Sequence, residues 1–175
     1  MGPSGVGKDT LIDGLRRRFS GESRVHFAVR AITRPAGDES ESHLALTVEG
    51  FQQEKSRGAF SVTWEANGLN YGLPRSLLDE VARGNVVIAN GSRGALPKIR
   101  AAFPALTVVA VTVSADELAR RLRSRGRETD EEIEARLARN SAFSECIDGC
   151  ILIDNSGPPA DAVEVLAGVV LDRLP

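Results

Sequence analysis

The chemistry of this sequence gathers around Lys8. It closes the run Gly2-Pro3-Ser4-Gly5-Val6-Gly7-Lys8-Asp9-Thr10. The run fits the phosphate-loop pattern G-x-x-x-x-G-K-[ST] at every fixed position except the last, where Asp9 replaces the hydroxyl residue. Glycines let the backbone curl so that successive N–H groups point at one anion. Lys8 adds a mobile positive charge for the outer phosphates. Leu11, Ile12 and Leu15 follow at helical spacing, with Arg16 to Arg18 on the far side. That pattern is an amphipathic helix, and its positive N-terminal end faces the same anion. Residues 2–10 are therefore read as a nucleotide-phosphate site.

Phosphoryl transfer depends mainly on positioning and on neutralising the equatorial oxygens of the moving group. Cations must reach it from several segments. Arg34 follows a predicted strand end and is the candidate for the acceptor's phosphate; the competing reading is a surface arginine. Arg93 lies just past another strand, at the carboxyl edge where ligands bind in parallel sheets; the competing reading is a helix-start residue. Arg136 and Arg139 are three apart and share a helix face, with Arg127 upstream. A solvated charged face near Glu132 and Glu134 is their plain alternative.

The elements that must position these groups alternate between strand and helix. Apolar runs at Val25 to Ile32, Val86 to Ala89, Leu106 to Val113 and Cys150 to Ile153 read as strands, and continuous apolar runs imply burial on both faces. Helical patterns cover Ser76 to Arg83, Gly94 to Phe103, Ala115 to Arg125, Asp130 to Phe143 and Ala160 to Leu174. Ser114-Ala115-Asp116-Glu117 and Thr129-Asp130-Glu131-Glu132 are capping boxes. The alternation predicts an α/β fold, a parallel sheet with helices on both faces, in one domain of residues 1–175. Residues 35–72 break the pattern. They are polar, then strand-like at Leu44 to Val48, Phe60 to Glu65 and Asn70 to Gly72, with a helical piece near Glu49 to Arg57, and read as a small β-rich insert.

Only Met1 precedes the loop, whereas a phosphate loop normally hangs from the C-terminal end of a buried strand. The expectation is that roughly six apolar β-type residues belong immediately before Gly2, and that extending the chain through them raises its melting temperature and its affinity for ATP.

The 175 residues are 42% hydrophobic and 26% charged, with a net charge of −2, which is ordinary for a globular domain and argues against a nucleic-acid surface. One Trp and one Tyr are too few for a base-stacking platform. No apolar run approaches bilayer length. Cys146 and Cys150, without neighbouring ligands, read as thiols of a reducing cytoplasm rather than a metal pair. The residues carry no signal for or against a homodimer.

The order of motifs resembles guanylate-kinase-like nucleoside monophosphate kinases: the phosphate loop, Thr33-Arg34-Pro35, Asn67-Gly68-Leu69-Asn70-Tyr71-Gly72, and the stretch from Arg125 to Leu137, which is similar to that family's lid (about 124–140). Three features depart from it. The family's tyrosine after the acidic loop falls near His43 or Ser42. A glutamate that reads the guanine edge is expected at Val62, and valine cannot accept a hydrogen bond. The second phosphate arginine after Arg34 is missing. Gly7-Lys8-Asp9, Ile32-Thr33-Arg34, His43-Leu44-Ala45-Leu46, Trp64 to Gly72 and Asn90-Gly91-Ser92-Arg93 together look like the ribose 1,5-bisphosphate phosphokinases of phosphonate degradation. That resemblance implies ATP and ribose 1,5-bisphosphate as substrates, with Mg²⁺. The acceptor site it implies draws on Arg34, His43, Asn67, Tyr71, Asn90 and Arg93. Asn155 falls where this fold contacts adenine, or is a plain turn residue. Asp9 or Thr10 would hold the metal, the carboxylate having moved to the loop because the strand ends in the amide Asn90; Asp9 as a simple helix cap competes with this. Trp64 and Phe60 read as core of the insert. A GMP-type kinase is the alternative, opposed by Val62. A non-catalytic binding module is another, opposed by Lys8, since such modules typically lose that lysine.

Overall fold

The computed structural model describes residues 1–34, 43–126, 129–141 and 149–175, without the side chains of 125, 136 and 139–141. In chain order these residues form α1 (Lys8–Arg18), β1 (Val25–Phe27), β2 (Arg30–Ile32), β3 (His43–Ala45), α2 (Val48–Ser56), β4 (Phe60–Ala66), β5 (Leu69–Pro74), α3 (Ser76–Ala82), β6 (Val86–Ile88), a 3₁₀ turn (Arg93–Ala95), α4 (Leu96–Ala102), β7 (Val109–Thr112), α5 (Ala115–Arg125), α6 (Asp130–Ser141), β8 (Ile151–Asp154) and α7 (Pro159–Leu171). They divide into two compact units, Met1–Arg18 with Thr107–Val169, and Phe19–Leu106 with Val170–Pro175.

The first unit holds the parallel pair β7–β8, in register from Val109 opposite Ile151 to Thr112 opposite Asp154. The capping box at Thr129 forms in full and the one at Ser114 in half, since the Ser114 N–H donates to the Ser156 hydroxyl instead of to Glu117. The Ser114 hydroxyl accepts from the Glu117 N–H, and Thr129 and Glu132 cap each other reciprocally. So anchored, α5 and α6 bury Leu118, Leu122 and Ile133 in one cluster, with Val113 and Leu137 packed against it.

The second unit holds the parallel pair β1–β6 and a mixed four-stranded sheet in the order β3-β2-β5-β4. The apolar run predicted as one strand over Val25 to Ile32 is two strands in two sheets. β1 pairs with β6, whereas β2 pairs with β3 and β5. The change of sheet falls at Ala28-Val29, and Val29 is an exposed residue inside the run. β6 is only half-buried along its length, not covered on both faces as its continuous apolar run suggested. β4 and β5 form a hairpin whose tip is Asn67-Gly68, both with positive φ (51° and 73°). Asn-Gly is the pair a two-residue type I′ turn selects.

Across that hairpin Phe60 stacks on Phe51 of α2, with ring centroids 4.9 Å apart. A Cβ placed on Gly72 would lie 2.7 Å from the Phe60 ring, which is closer than carbon atoms approach. Gly72→Ala is therefore expected to destabilise the protein by about 1–3 kcal/mol through overpacking. Thermal melting should show a Tm several degrees lower.

Candidate active site

The phosphate loop is curled by its glycines and held from three sides. Gly5 and Gly7 have φ of 97° and 88°, a region that favours glycine. Space forbids side chains there as well. A Cβ on Gly5 would lie 2.9 Å from Leu118 Cδ1, and one on Gly7 would lie 2.6 Å from Asn155 Nδ2. Val6, between them, is fully buried. The Gly7 carbonyl accepts from the Leu11 N–H (3.0 Å) and starts α1. Lys8 reaches back across the loop, and its Nζ donates to the Pro3 carbonyl at 2.7 Å. At the other end of the loop, the Met1 carbonyl accepts from Val111 N–H of β7 (2.8 Å).

Asn155 and Arg121 carry the third support. The Asn155 N–H donates to Thr112 O (2.9 Å), which fixes the residue at the end of β8. Its Nδ2 donates to the Val6 carbonyl at 2.8 Å. Its Oδ1 is buried without a hydrogen-bond partner. Arg121 donates from Nη2 to the Asn155 carbonyl (2.7 Å), from Nε to Glu117 Oε1 (2.7 Å) and from Nη1 to the Val6 carbonyl at a long 3.5 Å. Glu117 also accepts from Arg120 Nε and Nη2. These two guanidinium groups, Arg120 first, lower the Glu117 pKa to about 2. Gly5, Gly7, Thr10, Glu117, Arg120, Arg121 and residues 155–159 line a cavity of about 520 Å³. Cationic edges and backbone donors at the head of α1 are what a nucleotide can use.

The predicted loop residues Gly2 to Thr10 thus share one unit with Asn155. Asp9 lies in the first turn of α1, and Thr10 lines the cavity. The predicted acceptor residues lie in the other unit. Arg34 is half-buried just past β2, and His43 opens β3. Asn90 is buried after β6, and Arg93 is exposed in the 3₁₀ turn. Asn67 sits at the hairpin tip, a placement that its turn geometry explains by itself. Tyr71 is buried and stacked on Trp64. Arg127 and Cys146 lie outside the described residues, as do the side chains of Arg136 and Arg139. The sequence reading missed Arg121 and Glu117. Their only local mark is an i,i+4 acid–base pair, a pattern common on solvated helices.

Residues 1–167 match the family model of guanylate kinase. A ribose 1,5-bisphosphate phosphokinase of Rhizobium etli (strain CIAT 652) is 45% identical over 170 residues, which is 97% of this chain and 86% of the relative. The chain belongs to the guanylate kinase family, in its ribose 1,5-bisphosphate phosphokinase branch. A second such phosphokinase, from Brucella melitensis biotype 2 (strain ATCC 23457), is 46% identical over 157 residues, covering 90% of this chain and 82% of its own. Among solved structures, the guanylate kinase from Anaplasma phagocytophilum superposes with a TM-score of 0.69 at 18% identity, over 93% of this chain and 79% of that one. That likeness confirms the fold.

Two predictions come from the loop support. Asn155→Ala removes the clamp on the Val6 carbonyl and should cost about 1–3 kcal/mol of stability, with a higher KM for ATP; calorimetry and steady-state kinetics check both. The Glu117 carboxylate has a folded pKa depressed from 4.5 to about 2. Its stabilising contribution is complete above about pH 4.5 and is lost as pH falls through about 2. The Tm difference between wild type and Glu117→Gln should therefore be constant at neutral pH and close as acid is added below pH 4.5.

Proposed function

We propose that the chain transfers the γ-phosphoryl group of ATP to ribose 1,5-bisphosphate, giving ADP and 5-phosphoribosyl 1-diphosphate, in phosphonate degradation. One observation carries the choice of acceptor. The phosphate loop is complete through Lys8, while the position for a guanine-reading acid is Val62, buried on an apolar sheet face beside Trp64 and Leu73. The Rhizobium and Brucella relatives, named for the same reaction, support it over nearly the whole chain. Val62 disfavours a GMP kinase, and Lys8 disfavours a non-catalytic module.

In this reading an oxygen of the sugar's 1-phosphate attacks the γ-phosphorus, and the bond from that phosphorus to the β–γ bridging oxygen breaks. The attacking phosphate is already ionised, so no side chain need act as a general base. Loop N–H groups and the α1 terminus bind the nucleotide phosphates. Lys8 releases the Pro3 carbonyl and neutralises the outer phosphates. Arg34 and Arg93 serve the acceptor, and Arg127 and Arg136 the transferring group, charge stabilisation being the main catalytic term for such a reaction. Arg121 and Asn155, which line the cavity beside the loop, lie on the side of the nucleotide's base. The oxygens of Asp9 and Thr10, in the first turn of α1, fit a hard cation that keeps waters and phosphate oxygens in its shell. When bound, Mg²⁺ supplies charge neutralisation. We place the enzyme in the cytoplasm, a reading supported by the free thiol of Cys150; no helix of the described residues is long and apolar enough to cross a membrane.

Lys8→Ala should lower kcat by roughly 10²–10³, about 3–4 kcal/mol, the scale of a lost charge-stabilising donor, with the Tm little changed. Ribose 1,5-bisphosphate should be phosphorylated and GMP should not, because no partner awaits the base edge at Val62. A coupled assay measuring ADP release with each acceptor decides this, and comparable kcat/KM for GMP would overturn the acceptor assignment.

A further inference from the structure

The end of β2 is fixed from both sides. On the β3 side, the Ile32 carbonyl accepts from the Leu46 N–H at 3.0 Å. On the β5 side, Ala31 is opposite Gly72 and Ile32 is opposite Tyr71, and one further step of that register sets Thr33 opposite Asn70. Opposed residues of an antiparallel pair alternate between those that exchange two backbone hydrogen bonds and those that exchange none. Thr33 and Asn70 are an exchanging pair with one half changed. The Thr33 N–H donates to the Asn70 carbonyl at 3.0 Å. The Asn70 N–H, however, donates to the Thr33 hydroxyl at 2.8 Å. That hydroxyl stands where the Thr33 carbonyl would stand in a continued ladder.

With both halves made by backbone, the ladder would carry β2 on through residue 33. With the hydroxyl as acceptor the ladder stops at Ile32, and the chain bends at Thr33 and Arg34. A hydroxyl that competes with the backbone for a donor is a general way to end regular structure. Threonine suits the task, because its branched Cβ leaves few χ1 rotamers and the hydroxyl is held in place. Thr33 and Asn70 are both half-buried, where an N–H without an acceptor is costly. The other edge of β5 is paired as well, with Asn70 opposite Glu65 and Tyr71 opposite Trp64 of β4. The Asn70 N–H is therefore a fixed reference, and the group that takes it decides where β2 ends.

We propose that Thr33 is a positioning residue for acceptor binding: by taking the Asn70 N–H, its hydroxyl ends β2 at Ile32 and sets the direction in which Arg34 leaves the sheet. Thr33 acts through Arg34 rather than on the substrate, and the inference rests on the role given to Arg34 in the reaction above. Loss of the hydroxyl returns the Asn70 N–H to the carbonyl of residue 33, lengthens β2 by one residue and redirects Arg34.

The test uses the full chain as wild type, Thr33→Val, Thr33→Ser, Arg34→Met and the double variant Thr33→Val with Arg34→Met. Calorimetry gives dissociation constants for ribose 1,5-bisphosphate and ATP, and steady-state kinetics give kcat and each KM. Thr33→Val should weaken the acceptor and raise its KM by roughly 3- to 10-fold, the scale of one hydrogen bond, and leave ATP affinity and kcat at saturating acceptor within about twofold. Thr33→Ser keeps the hydroxyl and should bind the acceptor as wild type does. In the Arg34→Met background, Thr33→Val should cause no further loss, because the residue it positions is gone. Should Thr33→Val not fold, Thr33→Ala, alone and with Arg34→Met, decides in the same way. Equal weakening of ATP and acceptor, no rescue by serine, or losses that add in the double variant overturns the proposal. So does an Arg34→Met variant that binds the acceptor as wild type does, which also removes Arg34 from the acceptor site. A wild type that binds ribose 1,5-bisphosphate without phosphorylating it overturns the reaction proposed above, while the dissociation constants still decide the role of Thr33. A wild type that binds none overturns both.

Discussion

The Val6 carbonyl is the point on which the nucleotide half of the molecule depends. A loop that aims its N–H groups at an anion must turn its carbonyls away from it, and in a packed interior those carbonyls need donors of their own. Val6 has two, the Asn155 amide and, at longer range, the Arg121 guanidinium. Gly7 must then be glycine, because Asn155 Nδ2 occupies the space a Cβ would take. The same carbonyl also explains why the far side of α5 matters. Glu117 holds Arg121 by Nε, which leaves Nη1 and Nη2 to reach the loop and the end of β8. Loop, α5 and the β8 terminus form one hydrogen-bonded unit, in which each member removes a polar group another would leave unsatisfied.

The other unit solves a different problem. Its mixed sheet keeps one apolar face yet buries a charge in it. Trp64, Tyr71, Ile32 and Leu73 are buried on that face, and the Arg30 guanidinium lies over the ring of Tyr71.

Much of this was readable along the chain. The phosphate loop announces itself by spacing. The capping boxes at Ser114 and Thr129 placed α5 and α6 to the residue at their starts, because a cap is a local contract between side chain and backbone. What could not be read depends on distant partners. Nothing in Val25 to Ile32 says that its halves pair with different sheets, since an apolar run does not record which strand lies beside it. Arg121 is 115 residues from Val6 and 34 from Asn155, and in sequence it is one of several arginines on an exposed-looking helix. Asn67 was ambiguous for another reason: Asn-Gly is what a hairpin tip requires, so its presence in a family motif cannot separate turn chemistry from ligand contact.

The Lys8–Pro3 contact bears on how the site fills. Lysine is among the side chains with the most rotamer freedom to lose when held. Here that freedom is already restricted before any nucleotide arrives, by an acceptor within the loop itself. Exchange of the Pro3 carbonyl for a phosphate oxygen then replaces a neutral acceptor with a charged one, and little new ordering has to be done. In the proposed reaction the nucleotide would meet a charge already parked at the rim, and capture would require one hydrogen bond to change hands rather than a long side chain to be found and fixed.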